Sequence, residues 1–310
     1  MTTADLTAPQ FTDENAAREA LETLRWPNGP VCPRCGCTDE YVTKMEGEAH
    51  RIGLYNCKGC RKQFSVTIGT VYERSHIPLH KWLLATHLLA SSKKGISAHQ
   101  IHRMLGITYK SAWFMCHRIR EAMAVDVTEP PMGGNGAVVE ADETFIGRKN
   151  GVTPSNGYEH KNAVLSLVER GGKVRSFHID KATKRHIAPI VSANVAKETA
   201  LMTDEARHYN KVGKTFASHE SVMHSKEEWV RGNAHTNTIE GFFSIFKRGM
   251  KGVYQHCDER HLHRYLAEFD FRYSNRVKLG VSDAERAELA VKGSVGKRLT
   301  YRRINERPTA

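Results

Sequence analysis

Three acidic residues in the second half of the chain stand where divalent ions could be held. Asp142 closes the apolar run Val138-Val139-Glu140-Ala141. Asp204 follows Ala200-Leu201-Met202-Thr203, and Glu240 lies in the helix-like segment His235-Thr236-Asn237-Thr238-Ile239-Glu240-Gly241-Phe242-Phe243. Thirty-five residues separate Asp204 from Glu240, and Lys247 comes seven after Glu240. Phosphoryl transfer to or from a polynucleotide is served by two metal ions about 4 Å apart, one on the attacking and one on the leaving oxygen. Carboxylate oxygens suit magnesium or manganese in that task. Lys247 falls two helical turns from Glu240 on the same face and could hold a phosphate beside the ions. Any one of 34 acids would be a surface residue by default. The constellation carries the argument, because each member ends or interrupts an apolar run.

A second chemistry lies near the N-terminus. Cys32-Pro33-Arg34-Cys35 and Cys57-Lys58-Gly59-Cys60 are two CxxC knuckles with 21 residues between them. Four thiolates suit one tetrahedral zinc with no open coordination position, so the ion would organise the fold and do no chemistry. Two CxxC pairs together argue against a redox pair. Cys37 could replace Cys35, but Cys35 keeps the two-residue spacing. Cys116 reads as a small core residue. Arg34, Lys58, Arg61 and Lys62 surround the knuckles, as phosphate contacts or as a solvated rim.

The elements that would position these groups follow from periodicity. A polar start leads to a short helix over Asn15–Leu24, stopped by Trp26-Pro27-Asn28-Gly29-Pro30. Leu79–Ser92 is apolar at helical spacing. Ser97 can cap a helix through Met104, Leu105-Gly106-Ile107 makes a turn, and Thr108 can cap a longer helix to about Met123. In that helix Ala112, Cys116, Ile119 and Met123 form the inward face. This is helix-turn-helix grammar, which would put Tyr109, Lys110 and Ser111 at base edges; the alternative is an ordinary helical hairpin. Thr128–Gly136 reads as a linker. Strands are expected from Ala137, over Ala163–Val168, Lys173–Ile179, Ala200–Thr203 and Thr215–His219. A helix is expected over Ala182–Val195 despite Pro189, and long helices over Asn237–Arg248 and Glu259–Asn275. That order, three strands, a helix, a strand and then helices, is that of an α/β ribonuclease H-like fold. The last 20 residues read as basic and loosely ordered.

Composition narrows the partners. The net charge is +12, from 46 basic and 34 acidic residues, which favours a polyanion. Mean hydropathy is −0.51; no apolar run is long enough to span a membrane and no signal core precedes Glu14, so an intracellular protein is expected.

Taken together these residues resemble bacterial insertion-sequence transposases of the zinc-ribbon DDE type, the ISXO-like group related to the Merlin elements. The likeness rests on the two knuckles, Lys110-Ser111-Ala112-Trp113-Phe114-Met115-Cys116-His117-Arg118-Ile119-Arg120, Glu140-Ala141-Asp142-Glu143-Thr144-Phe145-Ile146-Gly147, Thr203-Asp204-Glu205, His235–Glu240 through Lys247-Arg248-Gly249, and Tyr265–Tyr273. It spans about residues 15 to 277.

The resemblance implies an N-terminal segment (1–30), a zinc ribbon (31–75), a helix-turn-helix DNA-binding region (76–127), a ribonuclease H-like DDE domain (136–277) and a basic C-terminal tail (278–310). It implies a catalytic triad of Asp142, Asp204 and Glu240 holding two magnesium or manganese ions, with Lys247 as the basic follower. Asn237, one turn before Glu240, is the alternative third residue. One structural zinc would sit on Cys32, Cys35, Cys57 and Cys60. DNA contacts are expected from Tyr109, Lys110, Ser111, Arg118, Lys247 and Arg248. The implied partners are the element's terminal inverted repeats, target DNA and a second copy of the chain, in the cytoplasm at the nucleoid. Two other readings compete with it: a DNA-binding regulator with an inert acidic domain, and a nuclease of the same fold that cuts without joining.

Overall fold

The computed structural model describes residues 5–125, 129–154 and 157–300. They form two compact units. One comprises residues up to Ser92, Ile96–Met123 and the chain from Ser282 onward. The other comprises Lys93–Gly95 and Ala124–Val281. Among the described residues no helix is long and apolar enough to cross a membrane.

The first unit opens with α1 (Glu14–Arg25), whose N-terminus is capped by Asp13 through the Ala16 N–H. Three short antiparallel strands, β1 (Val42–Lys44), β2 (Tyr55–Cys57) and β3 (Lys62–Phe64), form the knuckle module. Trp26, Tyr55 and Phe64 pack as an aromatic cluster beneath it. α2 (Leu79–Ser91) starts at Pro78 and lacks its own side-chain cap; the Glu14 carboxylate accepts the Leu79 N–H instead, at 2.6 Å. This satisfies one of the four orphan donors of a helix start and places an anion at its positive end.

α3 (Ala98–Leu105) is capped by Ser97 and ends on Gly106 in the left-handed conformation, φ +61°. α4 (Tyr109–Met123) follows after a three-residue turn, with the Thr108 hydroxyl accepting the Ser111 N–H. Its expected inward face is buried: Ala112, Cys116, Ile119 and Met123 are at most 2% exposed.

The second unit is a five-stranded mixed sheet of β4 (Val138–Ile146), β5 (Asn162–Glu169), β6 (Val174–Ile179), β7 (Ala200–Thr203) and β8 (Ser218–Ser221), in the order β6-β5-β4-β7-β8. β4, β5 and β6 run antiparallel; β7 and β8 run parallel to β4. α5 (Lys184–Asn194) and the short α6 (Tyr209–Gly213) contribute Ile187, Val191, Tyr209 and Val212 to the core on one face, with Val139, Ala141, Leu165 and Leu201. A two-stranded hairpin, β9 (Val230–Arg231) and β10 (Ala234–His235), leads into α7 (Asn237–Gly249). α7 and α8 (Leu262–Ser274) cover the opposite face with Ile239, Phe242, Phe246, Leu266 and Phe269. β5 is buried almost throughout because helices cover both its faces.

Three expectations change. The supposed linker is part of the second unit: the Met132 N–H donates to the Asn194 carbonyl, the Met132 carbonyl accepts from Ala196, and Met132 is 4% exposed; Thr128 lies outside the described residues. The last strand falls at Ser218–Ser221, because Thr215 and Phe216 close a turn after α6.

The supposed tail contains α9 (Asp283–Lys292), started by a capping box of Ser282 and Glu285. It belongs to the first unit. Arg286 donates to the Ala90 carbonyl, Ala290 is fully buried, and Gly296 N–H donates to the Gly69 carbonyl.

Candidate functional site

The carboxylates gather where β7 ends beside the middle of its parallel neighbour β4. β4 and β7 stay in register to Glu140 opposite Met202. Asp142 stands two residues further along, in the middle of β4 and opposite Ser166 of β5, while Asp204 directly follows the last residue of β7, so the two acids lie side by side where β7 ends. The alternation of β4 sends Glu140, Asp142 and Thr144 to the α7 side and Ala141 and Glu143 to the α6 side.

Asp142 is pushed up to about 8, first by burial and then by the charges of Glu143 and Asp204, with a smaller push from Glu240; the Glu143 N–H, donating to Asp142 Oδ1 at 2.7 Å, acts the other way. Asp204 is raised by burial, opposed by the Ala206 N–H on its Oδ1 at 3.0 Å, with Glu143 adding to the rise. Glu240 is half-exposed at the start of α7; its Oε1 accepts the Thr236 hydroxyl at 3.1 Å, with His224 Nε2 at 3.7 Å. Asn237 is exposed in the same turn. Asp142, Asp204 and Glu240 thus share one electrostatic site. Asp142 and Asp204 are both raised in part by neighbouring carboxylates, a crowding that a divalent ion would relieve, so the donor set fits hard cations. Among the described residues, only the four cysteines discussed below bring three or more metal-ligating atoms within 4.8 Å of one another. The acidic set is therefore more open than a cage for one ion.

The same neighbourhood holds groups that the sequence reading did not assign. Glu143, 8% exposed, accepts hydrogen bonds from the Tyr209 hydroxyl and sits 3.1 Å from His208 Nε2. Burial pulls His208 down, but its bond to Glu143 and the charges of Glu143 and Asp204 raise it overall. Glu140 is fully buried. It accepts the Ile239 N–H at 2.9 Å, the Thr238 hydroxyl at 2.9 Å and Arg170 Nε at 2.6 Å. Arg170 also donates to the Asn233 and His235 carbonyls. The signal for this latch was an acid two residues before Asp142 on a buried strand face, which requires a cationic partner.

The basic residues divide. Lys247 is half-buried, its ammonium 6.0 Å from the Phe243 ring centre. Arg248 is exposed and donates back to Ser244. Tyr109 and Lys110 are exposed, and Tyr109 stacks on His99 at 4.1 Å; Ser111 is half-buried. Arg118 departs from expectation. It is 6% exposed, its guanidinium donates to the Glu73 carbonyl at 2.7 Å, and it lies over the rings of Trp82 and Phe114. Its stem and head are used for packing, which removes it from a DNA-facing surface.

The knuckles converge. The sulfurs of Cys32, Cys35, Cys57 and Cys60 all lie within 4.8 Å of one another, with Cys35–Cys57 at 3.5 Å and Cys32–Cys60 at 3.7 Å. A tetrahedron with metal–sulfur bonds near 2.3 Å has edges of about 3.8 Å, so the set is positioned to bind one zinc. Cys37 is outside it. Its thiol is pushed up to about 11 by a hydrogen bond with Cys35, by burial and by the charges of Cys35 and Cys57. Its sulfur packs over Gly59, where a β-carbon would come within 2.6 Å.

Comparison with known proteins adds to this geometry. Residues 133–274 match the ISXO2-like transposase domain, and residues 12–63 match the transposase zinc-ribbon domain. A protein in transposable element ISH50 of Halobacterium salinarum is 28% identical over 279 residues, covering 84% of this chain and 91% of the relative.

Proposed function

Carrying both modules of the zinc-ribbon DDE transposases of insertion sequences, this chain is one of them, and we propose that it binds the ends of its element and catalyses metal-dependent strand cleavage and strand transfer. The observation that carries this reading is the convergence of Asp142, Asp204 and Glu240: Asp142, raised first by burial and then by Glu143, is raised further by Asp204 and by Glu240. The sheet order β6-β5-β4-β7-β8, with helices on both faces, supports a ribonuclease H-like catalytic domain.

Asp142, Asp204 and Glu240 would hold the ions. Two divalent ions would supply the charge that activates a 3′-hydroxyl and stabilises the leaving oxygen. Glu140 and Arg170 hold the start of α7 against β4, which orients Glu240 toward Asp142. Lys247, seven residues along the same helix, is assigned to a DNA phosphate. End recognition is assigned to α3 and α4, with Tyr109, Lys110 and Ser111 at the start of the second helix. Joining two ends calls for at least two copies of the chain on DNA.

The test uses the full chain with labelled duplexes that carry the element's terminal repeats, in magnesium or manganese. Strand-transfer products are expected. Cleavage without joining would assign a nuclease, and sequence-selective binding without either would assign a regulator.

A further inference from the structure

A basic surface on the second unit is untouched by the groups already assigned. α5 and α6 flank a shallow cavity of about 710 Å³ whose lining includes Lys184, Arg185 and Lys211 over a floor of Ala188, Pro189 and Val212, and includes no carboxylate. All three cations are exposed, and none has an ion-pair partner among the described residues. Cations left unpaired by their own protein are available to an external anion. The apolar floor is suited to the sugar edge of a nucleic-acid backbone, which alternates anionic phosphate with apolar deoxyribose.

This surface is tied to the carboxylates by chain. α6 begins five residues after Asp204, its Tyr209 donates to Glu143, and Lys211 follows two residues later. Lys211 therefore shares a short element with a side chain of the acidic site, while Lys184 and Arg185 stand at the start of α5.

We propose that the α5–α6 surface binds the backbone of the target duplex without reading its sequence. The inference rests on the strand-transfer reading. End recognition is there assigned to α3 and α4, and the joining step still requires a grip on a second duplex. Contacts from lysine and arginine to phosphate suit a target of unrestricted sequence, since phosphates carry no base identity.

The experiment measures fluorescence anisotropy of a random-sequence duplex with the full zinc-loaded protein across a salt series, comparing wild type with Lys184→Ala/Arg185→Ala/Lys211→Ala. Each lost phosphate contact lowers the slope of log affinity against log salt by about 0.9, so the variant's slope falls by about 2 to 3. Cleavage at element ends stays at the wild-type level, while joining to the second duplex drops about tenfold or more, in line with the lost contacts. Circular dichroism and the melting temperature stay at wild-type values, since the three side chains are exposed. An unchanged salt slope overturns the proposal. So does loss of poly-glutamate binding with duplex binding intact, which would assign the face to an acidic protein. A wild-type protein that neither cleaves nor joins would count against the catalytic reading alone, because the salt slope reads this surface without chemistry.

Discussion

Glu140 on β4 accepts the backbone N–H of Ile239 at the start of α7, at 2.9 Å, while the same carboxylate is paired with Arg170. The bond joins the strand of Asp142 to the helix of Glu240. Glu140→Ala would strip the half-buried Arg170 guanidinium of its carboxylate and the buried Ile239 N–H of its acceptor, at a cost of up to about 3–5 kcal/mol. Glu140→Gln keeps an acceptor for Ile239 and should fold. Its half-saturating manganese concentration for cleavage should rise about tenfold, as for groups that orient metal ligands. Wild-type metal dependence in Glu140→Gln would mean that the latch is structural only.

The carboxylates themselves should be indispensable. Asp142→Asn and Asp204→Asn keep shape but remove a negative ligand, so both should bind DNA and fail to cleave at any magnesium concentration. Glu240→Gln should match them, and Asn237→Ala should retain activity. An active Glu240→Gln beside an inactive Asn237→Ala would transfer the third ligand to Asn237. Calcium should support assembly but little chemistry, because its looser coordination places the reacting oxygens poorly.

The zinc module should fail as a unit. Cys57→Ser should lose the ion and specific DNA binding together, measured by metal stoichiometry and footprinting, whereas Cys37→Ser should keep a full complement of zinc. Full metal content in Cys57→Ser would refute the four-sulfur assignment.

At the start of α4, replacing Tyr109, Lys110 and Ser111 by alanine should reduce discrimination between element ends and random DNA more than it reduces random binding. Equal losses on both DNAs would point to another reader, such as the zinc ribbon.

Asp270 supplies a pH prediction away from the carboxylate cluster. It lies on α8, fully enclosed, with both oxygens accepting from Ser176: the backbone N–H at 2.6 Å and the hydroxyl at 2.7 Å. Burial pushes it up to about 7, against the opposing pull of those two bonds. Glu129, Arg175 and His263 line the cavity it borders. The folded value exceeds the ordinary 3.8, so this group's contribution to stability is complete below pH 3.8 and lost as the pH rises through about 7. Asp270→Asn should flatten that decline, by a few kcal/mol across the window. A melting-temperature profile from pH 4 to 8 that is the same in both proteins would refute it.

Much of this was legible because local chemistry demanded it. The knuckles announce themselves by spacing, the helix pair by Ser97, Gly106 and Thr108, and the two aspartates by apolar runs that end on an acid. What escaped needed a tertiary partner. Arg118 is polar in sequence and buried in fact, because Trp82, Phe114 and the Glu73 carbonyl reach it from elsewhere. Glu143 sat beside Asp142, but its role depends on Tyr209, which is 66 residues away. α9 was hidden by small buried residues, Ala287 and Ala290, in a charged segment; the Ser282–Glu285 capping box was its readable signal.

The return of α9 to the first unit sets an order on synthesis. Residues 124–281 are all synthesised before Ser282, so the second unit interrupts the first. The surface around Ala90 and Gly69 must wait for Arg286 and Gly296. A product truncated near residue 280 would keep Asp142, Asp204 and Glu240 yet lack a complete first unit. The first unit is thus discontinuous in sequence, and its closure depends on a segment that lies beyond the whole of the second.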